Sequence, residues 1–521
     1  MARNHRGEKV DAVVVGSGAS GSVVAAKLAQ AGKSVVVLEA GPELKLTDLY
    51  SSTIWARRLK WGGPPALTGG PDPIGVAGNS GWGTGGAALH HYAVWLRLHP
   101  EDFEVRTRFG VGLDWPIAYD DLRPYYDRIQ EEAGISGDAE AEVWRPAGDP
   151  YPMPPLKQFN QARVIARGFE ALGMRTAPTP LAINSEEYKG RPACIYDGWC
   201  ESGCPIGALV NPLAVYLPQA LEAGAEIRHD SYVTRVLTTV DGARATGVEY
   251  VDAQGVTEVQ EADVVVLAAF AIENPRILLN SATDKHQNGL ANGSGAVGRY
   301  MMAHPLGVVF GLFPDDMENY MGVTGGQMIC QEEYEKDPAK GYIGAVYWGA
   351  GLALKPNDLL GIANARLDLF GADLHRFVED ASRHLGILGL FAENLPNAEN
   401  RLTLSATTDA RGMPRAELIH AVGEDDVKAY DAGMARGQEV MTAAGATEVW
   451  ASARAGAHIM GGTIMGDDPA ASVTTSYGQT HDVPNLFLAG PGLFPTSGAV
   501  NPTFTIHALS LRTAEYVAAN L

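Results

Sequence analysis

The sequence has 521 residues, 46% of them hydrophobic and 19% charged, which is the balance of an ordinary globular protein. A chain of this length is too long for one simple core, so we expect two closely joined domains. Acidic side chains outnumber basic ones by 61 to 40, and the net charge of −21 disfavours nucleic acid and anionic membrane surfaces as partners. No stretch approaches the roughly 20 apolar residues that a membrane span needs.

The first ten residues are polar and carry no apolar segment typical of an export signal. Four cysteines are too few for a disulfide scaffold. Together these two features predict a cytoplasmic protein.

Residues 10–40 have the pattern of a dinucleotide-binding βαβ unit. An apolar strand is predicted at 10–15, an alanine-rich helix up to about Ala31, and a second apolar strand at 34–38. The turn after the first strand has a G-x-G-x-x-G motif, and an acidic residue follows the second strand at the expected spacing of about 20 residues. The candidate cofactor-binding residues of this unit are Gly16, Gly18, Ala19, Ser20, Gly21 and Glu39.

Each of these residue types has a physical reason. Gly16 allows the tight turn, Gly18 lets the backbone approach a pyrophosphate, and Gly21 lets helix and strand pack closely, while the helix N-terminus faces the negative charge. Glu39 would accept hydrogen bonds from a ribose hydroxyl and disfavours NADP, because a carboxylate repels a 2′-phosphate. An NAD-dependent dehydrogenase would share this unit, so that function stays an alternative.

Residues 75–103 are predicted to form a glycine-rich loop that approaches a flat ligand closely. The aromatic residues Trp82, Tyr92 and Trp95 argue against a flexible linker. Further along, Tyr232–Val236 is predicted to be a strand whose Val233 backbone contacts an adenine. A strand at 263–269 precedes a helix at 271–279, and residues 306–450 predict an antiparallel sheet with helices, which we interpret as the substrate domain.

Three cysteines, Cys194, Cys200 and Cys204, lie close together in the sequence. Three thiolates at this spacing could hold a three-iron (3Fe-4S) cluster, because soft sulfur ligands suit iron. The same loop could instead contain free thiols or one disulfide, and the sequence leaves both interpretations open. Cys330 is remote and predicted to be buried.

The C-terminal segment supplies the candidate chemistry. His458 is predicted to lie in a glycine-rich turn and to act as the base for a hydroxyl proton, since histidine titrates near neutral pH. Asn501 and Pro502 are predicted to be the N-cap and first residue of the last helix, whose N-terminus would stabilise a reduced, anionic flavin.

With these motifs in place, the chain resembles the glucose–methanol–choline (GMC) family of FAD-dependent oxidoreductases, and most closely its pyranose oxidase, gluconate dehydrogenase and bacterial FAD glucose dehydrogenase branch. Gly83–Tyr92 resembles the family's flavin-covering loop, Ala271–Pro275 its second signature, and Asn400–Leu404 a strand of its substrate domain. The resemblance extends over five blocks: 10–42, 75–103, 194–210, 264–305 and 455–521.

The resemblance implies that His458 is the catalytic histidine and Asn501 its partner at the substrate oxygen. His90 lies near the position at which pyranose oxidases attach FAD, although its flanking residues differ, and Gly490 stands where many members carry a polar residue. The further residues implied to contact FAD are Gly83, Gly85, Gly86, His90, Gly490, Pro502 and Thr503.

The cysteine segment is similar to the cluster segment of the bacterial glucose dehydrogenases. In those enzymes a small subunit carries the export signal and a cytochrome takes the electrons, so the resemblance also allows periplasmic export with a partner.

The sequence thus predicts an α/β protein with a Rossmann-like FAD-binding domain (1–115, 190–305 and 451–521). It is interleaved with an α+β substrate domain on an antiparallel sheet (116–189 and 306–450). The predicted function is FAD-dependent oxidation of an alcohol on a sugar, glycoside or polyol, as a dehydrogenase. The alternatives are an oxygen-using oxidase of the same family, which could also act on aryl alcohols, an NAD-dependent dehydrogenase and a non-catalytic flavin-binding protein.

Overall fold

The computed structural model describes residues 7–49, 66–76, 79–363 and 366–521; Gly78 of the predicted glycine-rich loop lies outside them. Helices α1 to α10 span, in order, Ala19–Gln30, Val105–Phe109, Tyr119–Ala133, Asn160–Ala171, Tyr216–Glu222, Phe270–Asn280, Pro356–Ala363, Gly371–His384, Glu424–Ala443 and Thr503–Asn520. Strands β1 to β17 span, in order, Val10–Val15, Val35–Leu38, Leu67–Gly69, Ala177–Pro178, Glu226–Arg228, Tyr232–Thr238, Ala245–Val251, Thr257–Leu267, Met302–Leu312, Met328–Cys330, Val346–Ala350, Leu385–Ala392, Arg401–Thr408, Pro414–Ile419, Glu448–Ala451, Ala455–Met460 and Leu486–Leu488.

The first sheet has the order β5-β2-β1-β8-β7-β6, and β17 also pairs with β8. Strands β5, β2, β1, β8 and β17 run parallel, whereas β7 and β6 are antiparallel. β1 is buried along almost its whole length, as expected of a parallel strand covered on both faces. The chain leaves this sheet after β2 and again after β8, and returns to it with β17 near the C-terminus.

The second sheet is antiparallel and has the order β15-β9-β12-β11-β10-β4, with β16 also paired to β9. Helices α4 and α9 pack on it and on each other. Their shared core contains Phe169, Val309, Trp348 and Leu388. A small third sheet, β13-β14-β3, lies beside the two large ones.

The predicted fold class is confirmed: a Rossmann-like α/β unit is interleaved with an α+β unit on an antiparallel sheet. The domain boundaries stay a prediction. Within the described ranges, no helix is both long and apolar enough to cross a membrane.

Candidate active site

A cavity of about 580 Å³ connects the glycine-rich turn after β1 with strand β16 and the start of α10. This volume is within the range of roughly 300–1,000 Å³ that ligand pockets occupy. The sequence-predicted residues that line it are Gly16, Gly18, Ala19, Ser20, Glu39, Gly86, His90, Val233, His458, Asn501, Pro502 and Thr503. The structure therefore brings the two ends of the chain and the middle segment to one cavity.

The other predicted cofactor residues lie just behind the cavity wall. A Cβ atom on Gly21 would stand 1.9 Å from the Gly16 carbonyl oxygen, so this position requires glycine. The Gly85 amide donates to Ser17 Oγ at 3.0 Å, and the Gly83 amide donates to Glu39 Oε1 at 3.3 Å. Gly490 has a φ of +113° at the start of a short turn after β17. These four glycines lie behind the residues that line the cavity and shape its wall.

Glu39 is held by donors of the protein itself. Its Oε2 accepts from the Ser17 amide at 3.0 Å and from the Ser17 hydroxyl at 2.6 Å, and its Oε1 accepts from the Gly41 amide at 3.0 Å. With the Gly83 amide, these bonds occupy the roughly four acceptor sites of a carboxylate and fix its orientation, so a ligand hydroxyl would replace one of these donors.

The nucleotide end of the cavity fits a dinucleotide in two further respects. The N-cap residue of α1 is Gly18, which has no side chain to cap the helix, so it leaves the first amides available to an anion. Glu273 lines the same region, and its buried Oε1 has no hydrogen-bond partner within the described ranges. Burial raises the pKa of Glu273 to about 7, against the opposing effect of Arg276. An unsatisfied buried carboxyl of this kind is stabilised by a bound polar ligand.

His458 lies in strand β16, not in the predicted glycine-rich turn. The register with β9 is irregular between Ala457 and Met460, and His458 has a left-handed φ of +59° at this bulge. Its amide donates to Asn79 Oδ1 at 3.0 Å. Bulges re-aim side chains at sheet margins, which explains how a strand residue comes to line the cavity.

Asn501 is not the helix N-cap. Helix α10 begins at Thr503, its cap residue is Pro502, and no side chain caps it. The Asn501 amide is engaged elsewhere: Nδ2 lies 3.2 Å from His458 Nε2, and Oδ1 accepts a hydrogen bond from the Tyr347 hydroxyl. The capping prediction is therefore wrong because two partners on the antiparallel sheet hold this side chain.

Sequence reasoning missed three residues around His458, all from the second sheet. Phe391 stacks on the His458 ring with centroids 5.5 Å apart, and Tyr347 stacks on Phe391 at 5.1 Å. His304 Nδ1 lies 3.0 Å from His458 Nδ1. No local motif identifies these residues, because they belong to β9, β11 and β12 and meet only through sheet pairing. Of the three, only His304 had a sequence signal, because it lies at the end of the block 264–305 that resembles the GMC family.

Both histidines are neutral near pH 7. Burial in the surrounding protein, followed by the proximity of His304, holds the pKa of His458 well below its usual value, although one part of the ring faces the cavity. Burial lowers the pKa of His304 to about 4. A neutral imidazole has one unprotonated nitrogen, so His458 can accept a proton.

The three clustered cysteines show no assembled metal site among the described residues. Within the described ranges, no three His, Cys, Asp or Glu side chains come close enough together to hold a metal ion. Burial raises the pKa of Cys194 to about 11 and also raises that of Cys200, so both thiols would lose their protons on binding iron. The 3Fe-4S cluster therefore stays a prediction.

Comparison with known proteins agrees with this geometry. The two sequence models described as GMC oxidoreductase match residues 10–306 and 396–510. The chain is 33% identical to 2-methyl-1,2-propanediol dehydrogenase of Mycolicibacterium austroafricanum, over 98% of this chain and 95% of that protein. It is 31% identical to the fructose dehydrogenase large subunit of Gluconobacter japonicus, over 97% of each. Pyridoxine 4-oxidase from Mesorbium loti has the same fold, with a TM-score of 0.64 at 17% identity, over 97% of this chain and 98% of that one.

Proposed function

The chain belongs to the GMC oxidoreductase family and is an FAD-dependent enzyme that acts on CH–OH groups, and we propose that it oxidises an alcohol group of a sugar, glycoside or polyol with His458 as the base. The observation that carries this proposal is the pair formed by His458 Nε2 and Asn501 Nδ2, 3.2 Å apart, in the cavity that begins at the glycine-rich turn.

The nucleotide part of FAD would be held by the amides that open α1, by Glu39 and by the backbone at Val233. Pro502 and Thr503 would contact the flavin, because they line the cavity beside Asn501. When bound, FAD supplies the acceptor for the hydride that leaves the alcohol carbon. This assignment makes the whole length of the cavity a cofactor site with the substrate at the His458 end.

His458 would take the proton of the substrate hydroxyl on Nε2 as the carbon loses its hydride, which converts CH–OH to C=O. Asn501 Nδ2 would donate a hydrogen bond to the same oxygen and stabilise the negative charge that develops on it. A neutral base is required for this step, and the depressed pKa of His458 keeps the base neutral.

The substrate class and the acceptor are supported by the relatives. One is named for a small diol and the other for a sugar, and both are dehydrogenases. We therefore place dehydrogenase before oxidase.

A partner chain is part of the proposal. The fructose dehydrogenase relative is named as a large subunit, which supports a partner subunit for this protein too. The small subunit and cytochrome acceptor that the family resemblance implies stay part of this proposal. The protein would be periplasmic if such a partner carries it across the membrane, and cytoplasmic if no partner does so.

The test is a comparison of wild type with His458→Gln, using an anaerobic panel of sugars, polyols and small diols. We expect at least one alcohol to reduce the flavin of the wild type, and His458→Gln to reduce it on the order of 10²–10⁴-fold more slowly at unchanged FAD content. Equal rates in the two proteins would show that His458 is not the base. Faster turnover with oxygen than with an artificial quinone would make the enzyme an oxidase.

A further inference from the structure

His458 touches a second histidine on the side away from Asn501. His304, on β9, is completely buried, and its ring is nearly perpendicular to that of His458, with an interplanar angle of 86°. His304 is not among the residues that line the cavity. Its two nitrogens have different partners: Nδ1 faces His458 Nδ1 at 3.0 Å, and Nε2 faces the Ser497 carbonyl oxygen at 3.4 Å.

The Ser497 carbonyl decides where the proton of His304 lies. A carbonyl oxygen only accepts hydrogen bonds, so His304 Nε2 must carry the hydrogen. Because burial keeps His304 neutral, its Nδ1 is then bare and can only accept. The hydrogen between the two rings therefore belongs to His458 Nδ1.

The tautomer of His458 also determines the hydrogen bonds at the reacting end of the cavity. A neutral His458 that carries its hydrogen on Nδ1 has a bare Nε2, which accepts from Asn501 Nδ2. The amide oxygen of Asn501 must then accept, and it does so from the Tyr347 hydroxyl. With the opposite tautomers, His304 would turn a lone pair towards the Ser497 carbonyl, which is repulsive. One backbone carbonyl thus sets the direction of hydrogen bonds through four side chains.

We propose that His304 is a positioning residue that keeps His458 in the tautomer with Nδ1 protonated and Nε2 unprotonated, as a base at Nε2 requires. This inference rests on the proposed role of His458. When His458 Nε2 gains the substrate proton, the ring becomes a cation with hydrogens on both nitrogens, and His304 Nδ1 accepts from the inner one. His304 therefore keeps a neutral acceptor for the inner hydrogen of the His458 ring throughout the reaction.

Three variants separate an acceptor role from a packing role. His304→Asn places an amide oxygen near the position of Nδ1 and keeps an acceptor for His458. His304→Gln places an amide nitrogen near Nε2, which keeps the bond to Ser497 but offers His458 no acceptor. His304→Phe keeps the ring shape and removes both polar contacts.

We expect His304→Gln and His304→Phe to reduce flavin on the order of 100-fold more slowly at saturating alcohol, with KM and FAD content unchanged. His304→Asn should restore the rate to within about tenfold of wild type. ¹⁵N spectra of histidine-labelled protein give a readout independent of turnover, with the His458 signals identified by their absence in His458→Gln. We expect the hydrogen of His458 on Nδ1 in wild type and His304→Asn, and a shift of population towards Nε2 in His304→Gln.

Two results would overturn the inference. One is a wild-type rate in His304→Gln or His304→Phe while His458→Gln remains slow, which would leave the proposed function intact. The other is an equal loss in His304→Asn and His304→Gln with an unchanged His458 tautomer, which would make His304 a packing residue only. If His304→Phe does not fold, the comparison of the two amides decides. A wild-type rate in His458→Gln would instead reject the proposed function.

Discussion

At the scale of single residues, the backbone of His458 is the part of β16 that differs most from an ordinary strand. A left-handed φ is unfavourable for a residue with a Cβ, and such strain costs on the order of 1–3 kcal/mol. The hydrogen bond from its amide to Asn79, together with stacking on Phe391, holds the residue there. Strain that persists against this cost is typical of a site where side-chain direction matters more than stability.

The pKa of His458 gives a residue-scale prediction for the pH dependence. Only the neutral imidazole can take a proton, so the rate is full above the pKa of His458 and falls as the pH drops through it. Because burial places this pKa well below 6.5, flavin reduction should stay constant between about pH 8 and pH 6.5 and decline only in more acidic buffer.

Stopped-flow flavin reduction at saturating alcohol measures this dependence directly. FAD content and circular dichroism at each pH serve as controls for loss of cofactor or fold. A rate that already halves at pH 6.5 or above would contradict the neutral, buried base.

At the scale of elements, the unit β1–α1–β2 was predictable almost to the residue, because every determinant is local. These determinants are a buried strand, a turn that needs glycine and an alanine-rich helix without a polar face. The C-terminal helix was less so. Asn before Pro is a regular N-cap signal, but tertiary contacts with Tyr347 and His458 override it. Local sequence signals fail where a side chain forms hydrogen bonds with residues that are far away in the sequence.

Two glycines of the β1–α1 turn give a prediction at this scale. Gly21 has no room for a Cβ, since the Gly16 carbonyl oxygen would lie 1.9 Å away, whereas a Cβ on Gly18 would have its nearest neighbour at 3.8 Å. Gly18 lines the cavity and Gly21 does not. We therefore expect Gly21→Ala to lower the stability of the protein even without cofactor, and Gly18→Ala to leave that stability unchanged but to weaken FAD binding, because its methyl group enters the cofactor space.

Thermal unfolding of the FAD-stripped proteins and FAD titration of the same samples distinguish the two effects. Gly32→Ala is the matched control for FAD affinity. Gly32 belongs to the same unit, does not line the cavity, and has no neighbour within 4 Å of an added Cβ. Its φ of +82° disfavours alanine, so its stability is not compared. Unaltered FAD affinity in Gly18→Ala would show that the cofactor does not approach this turn.

At the scale of the whole molecule, a buried polar network ties the two large units together next to the site. Lys336 is fully buried and pairs with Asp102 and, at 3.1 Å, with Glu393. The Tyr334 hydroxyl donates to Asp102 at 2.8 Å and accepts from the Ala499 amide at 3.1 Å. The network anchors the chain at Ala499, two residues before Asn501, beside the antiparallel sheet that carries His304 and Tyr347.

This arrangement explains what the sequence could and could not predict. The cofactor turn, His458 and Asn501 lie in segments with recognisable local patterns. His304 and Tyr347 come from strands whose residues meet His458 only after β9, β11, β12 and β16 have assembled, so no spacing in the sequence relates them. The cysteine triplet has a suggestive spacing, but the described residues show no assembled metal site there, and the cluster stays a prediction.

The most direct test of the account is the absorbance spectrum of the purified protein, recorded before and after anaerobic addition of a sugar or polyol, with FAD measured in the supernatant after acid precipitation. We predict a two-band flavin spectrum that the alcohol bleaches, with FAD present in proportion to protein and released by acid unless His90 holds it covalently. A folded protein that contains no flavin, or one that oxidises alcohols only when a nicotinamide cofactor is added, would contradict the account.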